Sequence, residues 1–580
     1  MVKRHYLKVL DIDLTSEKVA VNRREDLTPL LGGIGAAAKL FSELVQPELT
    51  PLDPAQPVIL ARGPLSSIYP VATKVVAVFR SPLTGEWGES YAGMRLALAM
   101  RLAGYDAVII RGRASKPTYL SIGPDGVRFR DASALTGLPV EETGRLLRKF
   151  EPGRGFRSCI RIGAAGEKQV AFAGVNVDTY RHFGRLGLGA VFGSKQLKAV
   201  VIFGDNSEPI PDPKSYTRVY QDIYRRVVET EIMEKYHGVG TAINVNLLNQ
   251  LSALPTRNLQ QSSFEWAAEI SGEAFAEHNL VRKLACSGCP VGCIHIGLRR
   301  REFDRGYEFE SRTLSYDHEL IFALGSFLGI KYRDHILDLI DAVEQPGLDA
   351  ISTGVALGWV TEAFGKGLVT ETDLGTAVEF GSTGAYLKVI ENIVAQPNEF
   401  YRILARGTRA AAARYGGQEF ALTLAGTEMA GYHTGYTNIL GLATGARHSH
   451  LDNAGYSVDQ KNAPHPDPYK MTEAMVAEEK WRNVLNSLVI CLFAREVYNR
   501  ETVLAALEAI GISMAAGDLD SLGNEIFRLK QEVRKNLGFN PAGLTFPDRF
   551  FQTPSLMGRL DREFLNRMLS HYLAITGSTP

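Results

Sequence analysis

Three cysteines fall within eight residues, Cys286-Ser-Gly-Cys289-Pro-Val-Gly-Cys293, and this C-x2-C-x3-C run constrains the chain more than any other feature. Pro290 and Gly292 bend the backbone there, so several thiolates can converge. A 4Fe–4S cluster takes four thiolates, typically a tight local group plus one remote residue. Cys491, in Leu488-Val-Ile-Cys-Leu-Phe493, is the candidate fourth ligand. Tetrahedral zinc would use the same four residues, but structural zinc sites usually come as two C-x2-C pairs, so the three-plus-one spacing favours a cluster. Free buried thiols account poorly for three cysteines this close, and the spacing differs from the C-x3-C-x2-C of radical enzymes that use S-adenosylmethionine. Cys159, in Arg157-Ser-Cys-Ile-Arg161, reads as an ordinary strand residue. Five cysteines in 580 residues exclude a disulfide scaffold and fit a reducing, cytoplasmic compartment. A cluster implies electron transfer.

Charge narrows the partners. The chain carries 64 basic and 64 acidic residues, which gives no electrostatic footprint for nucleic acid or an acidic membrane. No run approaches the ~20 apolar residues of a membrane span, and the first residues lack the apolar stretch of a secretory signal. With 45% hydrophobic residues a sizeable core is expected.

The pattern predicts an α+β protein. Val9, Ile12 and Leu14, then Val19 and Val21 after the turn at Thr15-Ser16-Glu17, read as a hairpin. Short apolar strands recur at 58–60, 75–79, 107–110 and 199–203. The segments 58–67 and 76–85 share a strand–Arg–small–Pro–Leu pattern that reads as a pseudo-symmetric pair. Helical periodicity takes over later, at 216–236, 319–328, 335–344, 400–415, 468–493, 502–510 and 519–537. The polar stretch 205–213 and Gly416-Gly417 mark boundaries. The expected division is a β-rich domain over 1–208, a helical domain over 209–417 with the cysteine run, and a helical domain over 418–580 with Cys491.

Glycine is abundant, with 56 residues. Residues 181–195 combine four glycines with Arg181, Arg185 and Lys195, which suits phosphate binding or, equally, a tight turn and close strand packing. The glycine spacing fits neither a P-loop nor a dinucleotide fingerprint. The small-residue loop 85–93 could line the same ligand. Glu319 in Tyr316-Asp-His-Glu319, and His448 and His450 in Arg447-His-Ser-His450, are acid–base candidates. Their structural alternatives are a helix N-terminal carboxylate and hydrogen-bonded loop imidazoles.

Taken in order, these segments resemble the tungsten-dependent aldehyde:ferredoxin oxidoreductase family. The resemblance is carried by GPLSS (63–67), RSPLTG (80–85) with AG at 92–93, AGYDAVIIRGRA (103–114), GRLGLGAVFGSKQLKAV (184–200), the cysteine run, GLDAISTG (347–354) and Cys491. It implies a tungsten bis-pyranopterin (tungstopterin), a 4Fe–4S cluster and a Mg²⁺ bridging the pterin phosphates. By resemblance, Cys286, Cys289, Cys293 and Cys491 bind the cluster. Tyr91 to Gly93 with Arg181, His182, Gly184 and Arg185 meet the phosphates, and the Tyr91 and His182 main-chain oxygens reach Mg²⁺. Asp349, Leu451, Asn486 and Leu492 hold the pterins, while Glu319 and His450 face tungsten, with His448 the rival. The implied reaction oxidises a small aldehyde to a carboxylic acid. Electrons would pass to ferredoxin or a ferredoxin-like subunit, and an oligomer is expected. A low-potential reductase of another substrate, such as an aromatic acyl thioester, and a non-catalytic iron–sulfur protein are the alternatives.

The chain departs from the family pattern in places. Lys74 stands where the family has an arginine, keeping the charge but losing the planar fork. Glu344 opens the first pterin motif, and Asn486 replaces an aspartate. Asp338 and Asp341 replace an E-x-x-H pair that holds an interface iron in one branch, so no such iron is expected.

Overall fold

Apolar–charged alternation builds the first hairpin. In the computed structural model, which describes residues 5–153, 155–306 and 308–578, β1 (Leu7–Asp13) pairs antiparallel with β2 (Lys18–Arg24). Period-2 alternation sends Leu10 and Ile12 into one core and Val9 into another on the opposite face. The strands β3 (Val58–Ala61), β4 (Val75–Arg80), β5 (Trp87–Ala92) and β6 (Ala107–Arg111) complete a six-stranded sheet in the order β2-β1-β6-β3-β4-β5.

A second sheet repeats the first. It comprises β7 (Thr118–Gly123), β8 (Gly126–Asp131), β9 (Phe156–Arg161), β10 (Val175–Val177), β11 (Arg181–Phe183) and β12 (Leu197–Gly204). Its order, β11-β10-β9-β12-β7-β8, read from the far end, is that of the first sheet. Both halves have a leading hairpin, a parallel first–sixth pair and an antiparallel third–sixth pair. Each also places a helix before its sixth strand, Leu96–Ala103 and Leu188–Ser194. Apolar faces of the two sheets share one core, with Leu60, Phe79 and Val108 from the first and Leu120, Ile160 and Val200 from the second. The pseudo-symmetry expected between 58–67 and 76–85 is therefore misplaced. Those segments are neighbouring antiparallel strands, β3 and β4, of one sheet.

Helices dominate the remainder, as the periodicity predicts, with five corrections. The cysteine run lies between strands of an antiparallel sheet, β13 (Leu280–Leu284), β14 (Ile294–Asp304) and β15 (Glu308–Tyr316), inside the domain expected to be helical. The helix expected over 319–328 is His318–Leu324, followed after Gly325 by a 3-10 turn at Ser326–Leu328. The helix expected over 216–236 is Pro213–Val228, capped by Asp212, and a π-helix follows at Met233–Val239. The 400–415 helix divides into Glu399–Leu404 and Thr408–Tyr415 around Gly407, whose φ of 107° no α-helix accommodates. The helix Pro468–Ser487 stops before Cys491, because Val489 turns left-handed (φ 53°) and Ile490 bridges to Ala72 of the N-terminal half.

Apolar packing crosses the expected boundary at 417/418. One core contains Phe400 and Ala412 together with Phe420 and Leu440, and it continues to Tyr572. Another joins Val9, Ile34 and Ala61 to Leu485, Val503 and Ile526. The C-terminal residues thus pack on both the sheet region and the central helices. Among the described residues no helix is long and apolar enough to cross a membrane.

Candidate active site

A cavity of about 430 Å³ lies where β5, β11, the cysteine run and the Cys491 turn meet, and all four of Cys286, Cys289, Cys293 and Cys491 line it. Backbone bonds fix the thiol-bearing loops to each other. The Cys289 N–H donates to Cys286 O (3.0 Å), Val71 N–H to Gly288 O (3.3 Å), and Cys491 N–H to Val71 O (2.9 Å). Gly93 presses on this loop: a Cβ there would sit 2.5 Å from Cys286 Sγ. Burial, and then the neighbouring Cys491 sulfur, push the Cys289 thiol up, and burial pushes Cys293 up to about 11. Burial would lower the Lys74 ammonium, but the Cys491 and Cys286 sulfurs facing it hold it above its ordinary value. Among the described residues no three His, Cys, Asp or Glu side chains are gathered tightly enough to hold a single metal ion.

The edge strands of the two sheets meet at the cavity, β5 against β11. Tyr91 and His182 occupy corresponding places on them, opposite Val76 and Asn176 in their ladders. The Tyr91 hydroxyl donates to Glu89 Oε1 (2.7 Å), with the Arg447 guanidinium over its ring (4.7 Å). His182 Nε2 lies 2.7 Å from Glu344 Oε2. A Cβ on Gly184 would meet only Asp349 Oδ1, at 3.7 Å, so the backbone there is open to the cavity. Arg181 approaches Asp317 at 3.9 Å. Arg185 Nε is buried without a hydrogen-bond partner, 3.9 Å from Asp349 Oδ2. Asp349 caps the helix Ala350–Gly365 by accepting from Ser352 N–H (2.9 Å). Leu451, Asn486 and Leu492 also line the wall.

Lys195 does not join Arg181 and Arg185. Its ammonium is buried elsewhere and donates to Pro54 O (2.6 Å) and Gln56 O (2.7 Å), with burial lowering its pKa to about 7. Gly189 and Gly193 are likewise packing residues, against Ala173 and Gly166. The glycine-rich segment therefore divides: Arg181 to Arg185 faces the cavity, and the rest closes the sheet.

Glu319 stands in the first turn of the helix His318–Leu324, capped by Asp317. Its Oε2 accepts from Gly431 N–H (3.2 Å), and its Oε1 lies 3.5 Å from His450 Nδ1. Both Glu319 Oε1 and His450 Nδ1 are buried without a hydrogen-bond partner. Burial, reinforced by the Asp317 charge, pushes Glu319 up to about 7, whereas burial and then Arg447 hold His450 well below its ordinary value. His448 is placed differently. Its Nδ1 lies 3.0 Å from Leu442 O and its Nε2 2.9 Å from Glu86 Oε1, so both nitrogens are engaged away from the cavity lining.

The expected loop 85–93 is mostly strand β5; Glu89, Ser90 and Tyr91 on it do line the cavity, but the partners of its carboxylates carried no sequence signal. Glu89 is held by Lys530 (2.7 Å) and Trp87 Nε1 (3.0 Å), and Glu86 by Arg534 (2.8 Å) as well as His448. These charges come from β5, the turn before it and the distant helix Ala516–Asn536, so no local motif unites them. Tyr236, Tyr432, Tyr456 and Phe493 also line the cavity unforeseen. Asp338 and Asp341 are occupied by Arg299, and Asp341 also by Arg312 (3.3 Å).

Comparison with known proteins agrees across the whole chain. Residues 9–204 match the family model for the aldehyde ferredoxin oxidoreductase N-terminal domain, and residues 218–580 match that for domains 2 and 3. A tungsten-containing aldehyde ferredoxin oxidoreductase of Thermococcus kodakarensis is 31% identical over 99% of this chain and 96% of its own. The aliphatic sulfonate oxidoreductase WOR-like subunit of Pyrococcus furiosus is 32% identical over 84% of this chain and 79% of its own. The fold is that of the active-site complex BamBC of benzoyl coenzyme A reductase, with a TM-score of 0.86 and 20% identity, covering 100% of this chain and 95% of that one.

Proposed function

The chain belongs to the aldehyde ferredoxin oxidoreductase family, and on that premise we propose that this oxidoreductase converts an aldehyde to a carboxylic acid, RCHO + H₂O → RCOOH + 2H⁺ + 2e⁻. Its electrons pass to ferredoxin or to a partner iron–sulfur subunit. The observation that carries this reading is the facing pair Glu319 and His450, whose Oε1 and Nδ1 are buried without a hydrogen-bond partner in a cavity whose wall also bears four thiols.

The residues present fit the cofactors this reading needs. Seven Lys and Arg against five Asp and Glu line the cavity, an excess suited to anionic groups in general. Arg185 Nε lacks a partner, and Gly184 leaves the backbone open beside it. Arg181 and Arg185 would hold the phosphates, and the Tyr91 and His182 main-chain oxygens a Mg²⁺. Asp349, Leu451, Asn486 and Leu492 would hold the pterin rings, with Glu344 steadying His182 and Lys74 lying beside the thiols. Cys286, Cys289, Cys293 and Cys491 would hold the 4Fe–4S cluster, the three-plus-one spacing favouring it over zinc. When bound, a tungsten bis-pyranopterin supplies the two-electron redox centre, and the cluster carries electrons singly to the acceptor.

The side chains supply proton transfer and orientation. Gly431 N–H fixes Glu319 Oε2, leaving Oε1 to take the proton of the attacking water. With a pKa of about 7, Glu319 exchanges that proton readily near neutral pH. His450 stays neutral and donates its single N–H to the aldehyde oxygen, while Tyr432, 4.6 Å away, fixes its ring.

The test is elemental analysis joined to viologen-linked assays. About one tungsten and four irons per chain, with turnover of aldehydes, is the expected outcome. Zinc alone would remove the reading. Inert aldehydes beside turnover of a sulfonate or an acyl thioester would transfer the same machinery to another substrate.

A further inference from the structure

Beyond His450 the cavity wall becomes aromatic. Tyr432 stacks on Tyr456 with ring centroids 5.0 Å apart and planes 25° apart. Tyr236, on the π-helix Met233–Val239, stacks on Phe493 at 4.1 Å and 6°. Both stacked pairs line the same cavity. Leu247 and Leu248 add apolar wall. Flat aromatic walls favour a flat, polarisable guest, because offset and edge-on ring contacts add to simple burial.

Cations line the same space. Arg495 lines the cavity and donates to Leu492 O (3.0 Å). Its nearest carboxylate is Glu496, 3.6 Å away on a side chain that is 86% exposed. Lys235 also lines the cavity, and burial and then the Arg495 charge lower its pKa. Arg482, by contrast, is committed to Glu478 (2.8 Å) and Leu451 O (2.7 Å). Lys235 and Arg495 thus both line the cavity, and the carboxylate in ion-pair reach of Arg495 is the exposed Glu496, which leaves both cations open to an anionic guest.

Resting on the aldehyde-oxidising reading above, we propose that the substrate is an aromatic aldehyde bearing a carboxylate on the far side of its ring. The formyl group meets Glu319 and His450, the ring lies among Tyr432, Tyr456, Tyr236 and Phe493, and the carboxylate meets Arg495 and Lys235. The guanidinium supplies a planar donor pair matched to a carboxylate.

The test compares kcat/KM of the tungsten-loaded protein for 4-formylbenzoate, benzaldehyde and propanal. A preference of about tenfold or more for 4-formylbenzoate over benzaldehyde is expected, the size of one charge-assisted contact. Benzaldehyde should in turn exceed propanal. Arg495→Gln should collapse the first ratio, and Arg495→Lys should restore part of it. Calorimetric titration with terephthalate, the product, gives a readout independent of turnover, and its Kd should weaken about tenfold or more in Arg495→Gln. If Arg495→Gln fails to fold, Lys235→Gln reads the same ratio. Oxidation of all three aldehydes without preference, or a ratio indifferent to both variants, overturns this inference alone. Failure to oxidise any aldehyde removes the aldehyde reading and this inference with it.

Discussion

At position 319, burial rather than residue type decides what the carboxyl can do. A glutamate in water is ionised at neutral pH, but here desolvation and the adjacent Asp317 raise its pKa to about 7. The sign follows directly. A base must be deprotonated, so turnover should fall as pH drops below about 7 and level off above it. Glu319→Gln should lower kcat by about 10²–10⁴ and abolish that acid limb in a pH–rate profile. The two histidines should part company. His450→Ala should depress kcat with little change in melting temperature. His448→Ala should lower the melting temperature, because it strips a hydrogen bond from buried Glu86 at a cost of about 1–3 kcal/mol. Differential scanning calorimetry beside steady-state kinetics separates the outcomes. The sequence marked Glu319 and both histidines through their local polar clusters. It could not rank the histidines, because their difference lies in Leu442 O and Glu86, partners set by tertiary packing.

Strands and helices were legible to the extent that one period governs each segment. The first hairpin and the later helices follow from alternation and 3.6-residue spacing. Helix ends were less legible, because Val489 adopts a left-handed conformation that side-chain chemistry alone argues against. That turn matters, since it hands Cys491 to Val71 and Lys74 to Val489 across the domain boundary. Close approach is equally hidden. Gly93 reads as a turn residue but is a spacer against Cys286, so Gly93→Ala should displace the cysteine loop and reduce bound iron below that of the parent, measured by inductively coupled plasma analysis. The helix Ala516–Asn536 is tied to β5 and its turn by Lys530–Glu89 and Arg534–Glu86. Arg534→Met leaves Glu86 buried with its main cation gone and should destabilise the protein by about 3–5 kcal/mol, read from denaturant unfolding.

For the molecule as a whole, the cavity is a junction rather than a pocket in one domain. Its wall takes residues from both sheets, the cysteine run, the central helices and the Cys491 turn. Ligands bound there select the assembled form by mass action. Protein produced without tungsten, or stripped of iron by a chelator, should therefore melt at lower temperature and be cut sooner by protease than the loaded form. Composition and charge were informative at this scale mainly by exclusion. The duplicated sheet is not legible in the sequence, because its two copies share strand order and connectivity, with short likenesses such as Gly93-Met-Arg-Leu96 and Gly184-Arg-Leu186.

That duplication has a consequence for direction. Two copies of one frame present Tyr91 with Gly93, and His182 with Gly184, as counterparts, yet Gly93 abuts Cys286 whereas Gly184 opens toward Asp349. A guest with two similar halves would therefore rest with one half against sulfur and the other against carboxylate. The frame is even-handed; its furnishing gives the cavity a north and a south.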